Sequence, residues 1–120
     1  GMRVVRMGAA AHDCAVALVS HLPHVVASGL VATIAGVERG AFSVSGPGLR
    51  DTTRVASGAP GMWAEILSSN AAQVVPALEA FRERVDDLIG LVTAAGAGDS
   101  AGLAKFLEDA KVVRDGVRFP

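Results

Sequence analysis

The stretch from His12 to Ile34 constrains this chain more than any other. Cys14, Val16, Leu18, Val19, Leu22, Val25, Val26, Leu30 and Ile34 leave no continuous polar face on a helical wheel. A helix that is apolar all round is ordinarily enclosed by other helices. Yet His12, His21 and His24, all the histidines of the chain, lie in this stretch together with Pro23. Polar groups on a buried element need partners, because unpaired burial costs roughly 2–7 kcal/mol. The most enclosed stretch is therefore also where chemistry is expected. Pro23 has no N–H to offer the carbonyl of Val19, so a kink or a new helix start is expected over Ser20–Pro23, with Ser20 as the N-cap. His21 and His24 are three apart and Ser20 and His24 four apart, which puts them on one helical side. Two readings stand together: a site built from a hydroxyl and two imidazoles, or two core histidines satisfied by backbone carbonyls.

The remaining segments read as helices joined by turns. Met2–Met7 is short and β-branched and reads as an edge strand or an extended tail; one strand alone cannot stabilise itself. A first helix is expected from about Ala9 to about Ala35, bent near Pro23. Gly36–Gly48 is turn chemistry, Leu49–Ala56 a short helix ending at Gly58, and Pro60 opens a helix that stops at Ser69-Asn70. Val74, Leu78, Phe81, Val85, Leu88 and Val92 then step by fours and threes, a heptad-type seam that can pack inside the monomer or against a second copy. Its other face is charged, and Arg82 and Asp86 are spaced to pair. Gly96–Gly102 superficially resembles a glycine-rich dinucleotide loop, but without flanking strands it reads as a connection, with Asp99 or Ser100 capping a last helix to about Arg114. The expected fold is all-α: about five helices bundled around a long, proline-kinked central helix, with one orphan strand.

Composition narrows the function. With 120 residues, 51% of them hydrophobic, the chain can fill one core, built from Val, Leu, Ala and Ile since aromatics are only 4%. A formal charge of −1 lacks the basic excess that nucleic acid or an anionic membrane surface would require. Val25–Val37, the longest apolar run, is too short to span a bilayer. The lone Cys14 precludes an intrachain disulfide and suits a reducing cytoplasm. Gly1-Met2 reads as a leftover of cloning, so the chain is expected to be a piece of something longer.

Several chemistries fit poorly. His12, Asp13, His21 and His24 lack the further ligands of a metal shell. Ser20 with His24 lacks an acidic orienter and an oxyanion hole. Cys14 lies mid-helix in apolar surroundings, a poor place for a thiolate. Arg50, Asp51 and Arg54 offer more. Asp51 and Arg54 are three apart, so the carboxylate can orient a guanidinium fork suited to a substrate carboxylate. Gly46-Pro47-Gly48 allows close backbone approach, and Trp63 can wall a pocket. A surface salt bridge beside a core tryptophan is the alternative.

His12-Asp13, Ser20-His-Leu-Pro-His24-Val-Val-Ala27, Gly48-Leu-Arg-Asp51-Thr-Thr-Arg54-Val-Ala-Ser-Gly58, Trp63 and Asn70 occur in one order and spacing. Over nearly its whole length the chain resembles the C-terminal helical domain of the prephenate dehydrogenases, including their arogenate and cyclohexadienyl relatives. The resemblance implies a 6-phosphogluconate dehydrogenase C-terminal-like fold. It also implies that residues 1–8 hold the end of the last strand of a nucleotide-binding domain, and that residues 9–120 form the dimerisation and substrate-binding domain. The family oxidises prephenate or arogenate with NAD or NADP, losing CO2 to form an aromatic ring in tyrosine biosynthesis. By the same resemblance, Arg54 binds a substrate carboxylate, Asp51 holds Arg54, His24 lines the pocket with Ser20 and His21 beside it, and Trp63 forms its wall. Pro47 departs from relatives that carry glycine on a loop reaching the partner subunit.

The resemblance places the catalytic histidine and the nucleotide site in an N-terminal Rossmann domain in cis, so the fragment alone is expected to be inactive. The expected partners are a second copy of the chain and prephenate or arogenate, with no nucleic acid and no membrane. A helical interaction or small-molecule-sensing module without catalysis is the alternative on the same scaffold.

Overall fold

The computed structural model describes residues 4–120, which fall into two units: Met7–Leu78, and Glu79–Pro120 with residues 4–6. The first unit is built on a single rod. Helix α1 (Ala9–Val16), a π-helical turn (Ala17–His21) and helix α2 (Leu22–Val37) follow one another without a gap. Pro23 lies in the first turn of α2, and immediately before it the Leu22 N–H bonds to the Ala17 carbonyl five residues back. The widened turn, rather than a cap, accommodates the donor that Pro23 lacks. Ser20 thus caps nothing; no side-chain cap is made at this junction.

Two expectations change as a result. Because Pro23 does not end the helix, the rod reaches 29 residues and contains an 18-residue window with a mean hydropathy of 1.7, long and apolar enough by length and composition to cross a membrane. The rod is also not enclosed on every side. Only Ala17, His21, His24 and Ala27 are buried, while Leu18 and Val19 are exposed, Val19 at 76%. The other elements of this unit cover one stripe of the rod, and the alanines in that stripe keep it narrow enough for close approach.

Around the rod stand short elements. A 3-10 segment (Arg39–Val44) comes next, opened by the Glu38 carboxylate accepting from the Gly40 N–H at 3.0 Å. Helix α3 (Pro47–Thr53) starts two residues before the expected Leu49 and tightens into a 3-10 turn (Arg54–Ser57). Both α3 and α4 (Pro60–Ser69) open on a proline in the first turn, where its missing donor is harmless. The 39–44 segment, α3 and the 54–57 turn all pack on α2. Asn70 closes α4, and α5 (Ala71–Gly96) begins at once, burying Val74 and Ala77.

In the second unit, the remainder of α5 leads into α6 (Ala101–Gly116). The connection is a helix C-terminal motif: Asp99 N–H bonds the Ala94 carbonyl, Gly98 N–H bonds that of Ala95, and Gly98 adopts φ 101°. This Schellman geometry needs a left-handed residue, which explains the glycine. Ser100 takes the N-cap position of α6 without a side-chain bond. Leu88, Leu91, Leu103 and Phe106 are half-buried, but Phe81, Val85 and Val92 of the seam stay exposed, as does Ile89 at 61%. On the polar face Arg84 pairs with Asp87 at 2.7 Å, in place of the expected Arg82–Asp86 pair. Among the described residues there is no strand; the start of the expected strand, Met2 and Arg3, lies outside them. The fold is all-α.

Candidate functional site

The π-turn places His21 and His24 on the covered stripe of the rod, 8% and 7% exposed. Such turns are recurrent at functional positions, and the extra residue rotates α2 about the rod axis relative to α1. From α4, the Trp63 indole lies flat on the His24 imidazole, with ring centroids 3.7 Å apart and planes 12° from parallel. The same indole meets His21 edge-on, at 6.3 Å and 86°. The three rings form a continuous aromatic wall. Stacked and edge-to-face pairs each contribute about 0.5–1.5 kcal/mol beyond area burial.

Gly58, just after the 54–57 turn, brings bare backbone onto this wall. A Cβ there would stand 2.5 Å from Trp63 Nε1 and 3.2 Å from His24 Cε1. Beside the stack lies a cleft of about 350 Å³, lined by His24, Ser28, Ala56, Gly58, Trp63 and Leu67 among others. That volume is in the range of small-molecule sites. His24 Nδ1 is fully buried and has no hydrogen-bond partner among the described residues. An apolar cleft beside an imidazole with an unpaired nitrogen suits a small, mainly apolar ligand carrying one polar group for that nitrogen.

His21 is held from α4 and α5. Asn70 Nδ2 lies 2.9 Å from the main-chain oxygen of Asp13 and 3.3 Å from His21 Nδ1. Cys14 donates to Gln73 Oε1 at 3.0 Å, a second tie between α1 and the start of α5. The sequence marks Asn70 only as a helix stop and a family position. The contributions of Asn70, Gly58 and Ala56 are not legible there, because each meets side chains of another element: Asn70 that of His21, Gly58 and Ala56 those of Trp63 and His24.

The other expected site residues are dispersed. Ser20 is exposed, and among the described residues its hydroxyl bonds to neither histidine. Asp51 does not hold Arg54: its carboxylate sits 3.4 Å from Arg50 Nε, both side chains being well exposed. Arg54 is exposed and makes no ion pair among the described residues; it does not line the cleft, although Ala56 of the same turn does. His12 and Asp13 form an exposed pair at 3.5 Å. The described residues hold no group of three or more potential metal ligands.

With this geometry in hand, the relatives are informative. The family model for the prephenate dehydrogenase dimerization domain matches residues 8–109. The cyclohexadienyl dehydrogenase of Zymomonas mobilis is 35% identical over 118 residues, covering 95% of this chain and 39% of that protein. The prephenate dehydrogenase of Bacillus subtilis is 33% identical, covering 94% of this chain and 30% of that protein. Among solved structures, Synechocystis arogenate dehydrogenase superposes with a TM-score of 0.85 at 29% identity, over 96% of this chain and 42% of that one. Prephenate dehydrogenase from A. aeolicus, in complex with hydroxyphenyl propionate and NAD+, gives 0.83 at 31% identity, over 97% of this chain and 41% of that one. The chain thus spans less than half the length of these relatives. By sequence and by fold, the chain belongs to the prephenate dehydrogenase family, as its C-terminal dimerization domain.

Proposed function

We propose that this chain provides the substrate-binding cleft and the homodimer interface of a dehydrogenase that oxidatively decarboxylates prephenate, or the closely related arogenate. The observation that carries the reading is the His24–Trp63 stack walling a cleft of about 350 Å³. The relatives named as dehydrogenases of these substrates, and the A. aeolicus complex with an aryl propionate, support it.

In this reading the substrate ring lies against the aromatic wall, where His24 offers hydrogen bonding and Trp63 excludes water. Arg54, exposed outside the cleft on the turn whose Ala56 lines it, supplies the cation for a substrate carboxylate that reaches beyond the cleft. Asp51 serves Arg50 rather than Arg54. The described residues do not fit a nicotinamide dinucleotide. They contain no strand, and the glycine-rich Gly96–Gly102 segment is a helix C-terminal motif and not a strand-to-helix turn. In this reading NAD or NADP is bound mainly by a nucleotide-binding domain in cis, within the part of the longer relatives that this chain does not span; the A. aeolicus complex with NAD+ supports the cofactor.

The test is kinetic and uses the full-length protein. Arg54→Ala should raise KM for prephenate about 10- to 150-fold, the equivalent of a lost charge-assisted hydrogen bond of about 1.5–3 kcal/mol. The nucleotide KM should stay where it was. If both constants are unchanged, the carboxylate assignment is wrong. The dimer rests on the apolar side chains each unit leaves exposed, Leu18 and Val19 in the first, Ile89, Val92 and Val113 in the second. Sedimentation showing only monomer at high micromolar concentration would overturn it.

A further inference from the structure

We infer that Asn70 is a positioning residue: it fixes His21 as the tautomer protonated on Nε2, and through His21 it sets the edge of the aromatic wall. The inference deepens the proposed function, since it rests on reading that wall as the substrate surface. The tautomer itself is dictated by geometry alone.

The main-chain oxygen of Asp13 can only accept. The Asn70 amide atom 2.9 Å from it must therefore be the nitrogen, which settles the orientation of the amide. That same nitrogen is 3.3 Å from His21 Nδ1. An amide nitrogen donates and does not accept, so Nδ1 must be the bare, accepting nitrogen of the ring. The ring proton then resides on Nε2, which makes no hydrogen bond among the described residues and is not one of their fully buried, unpaired polar atoms. His21 is 8% exposed, so water cannot readily replace a lost neighbour.

Asn70 is itself firmly placed. Its main-chain N–H bonds the Ile66 carbonyl in α4, and its carbonyl accepts from Gln73 and Val74 in α5. It thus locks the α4–α5 junction while its side chain spans from Asp13 to His21. His21 in turn stands edge-on to Trp63, which stacks on His24. One amide therefore determines which nitrogen of His21 donates and how the imidazole meets the indole. A neighbouring hydrogen bond that selects an imidazole tautomer is a recurrent device wherever histidine acts.

The experiment separates this inference from the functional reading. Long-range 1H–15N correlation spectra of the 15N-labelled chain report which His21 nitrogen carries the proton. The native chain should show Nε2–H. In Asn70→Asp a carboxylate replaces the donor, and the proton should move to Nδ1 or occupy both nitrogens. Asn70→Ala, which removes the donor without adding charge, should raise the share of Nδ1–H above the native one while Nε2–H still predominates, and it serves if the aspartate variant fails to fold. A native chain protonated on Nδ1, or a folded variant whose tautomer is unchanged, would overturn the inference. In the full-length protein Asn70→Asp should raise KM for prephenate roughly three- to tenfold with the nucleotide KM unchanged. If the proton moves but neither KM does, the tautomer assignment stands and the role of His21 in binding substrate is what fails.

Discussion

Replacing Gly58 by alanine tests the aromatic wall directly. The backbone at Gly58 has φ −63° and ψ 157°, which any residue adopts, so the substitution brings no conformational strain. Alone, that would favour the variant by about 0.4–1 kcal/mol, because alanine restricts the unfolded chain. The obstacle is steric. The new Cβ would lie 2.5 Å from Trp63 Nε1, 2.8 Å from Trp63 Cδ1 and 3.2 Å from His24 Cε1. Ordinary contact is about 3.5–4.0 Å, so the indole must retreat by about 1 Å. It is a rigid plate with the His24 ring centred 3.7 Å from its own, and it has little freedom to yield. Overpacking of this kind costs about 1–3 kcal/mol. The net expectation is a loss of about 0–2.6 kcal/mol, with a fall in the urea midpoint of up to about 1 M. Trp63 is the chain's one tryptophan, so its emission reports on the stack without interference. The variant should unfold earlier, and its native emission should change as the stack is disturbed. Gly61→Ala is the matched control: it lies in α4 with no atom within 4 Å of the added Cβ, and should gain up to about 1 kcal/mol. If Gly58→Ala were as stable as the native chain with unaltered emission, the close approach on which the wall depends would be refuted.

Two other kinds of substitution probe the scaffold. Gly98→Ala forces a side chain into φ 101°, and thermal unfolding should show a loss of about 1–2 kcal/mol, which native-like stability would contradict. Val19→Glu and Ile89→Glu each place a charge on exposed apolar surface, so neither should lower the stability of an isolated chain. Each should shift sedimentation from dimer to monomer, since burying such a side chain is worth about 1.5–3 kcal/mol per copy; an undisturbed dimer in both would locate the interface elsewhere.

The helical character of the chain is legible from periodicity. Stops at Ser69-Asn70 and Gly96–Gly98 are readable because turn chemistry is local, and family order suggests that Trp63 and His24 share a pocket. Sequence patterns fail where the outcome depends on the surroundings of a segment. Pro23 predicts a bend or a restart of the helix. The rod instead absorbs it in a π-turn, with the Leu22 N–H bonded to the Ala17 carbonyl.

The sequence by itself determined that His12–Ile34 would be apolar helix and that its histidines would be its points of interest, because side-chain periodicity and hydropathy are properties of neighbours along the chain. Only the tertiary structure decided that Asn70 meets His21, that Gly58 lies against Trp63, and that Asp51 pairs with Arg50 rather than Arg54. Such contacts join residues up to 49 positions apart, or choose between neighbouring partners of one side chain, and no local pattern encodes them. Their physical basis is packing: which atoms come within 3 or 4 Å is settled only when whole elements have docked.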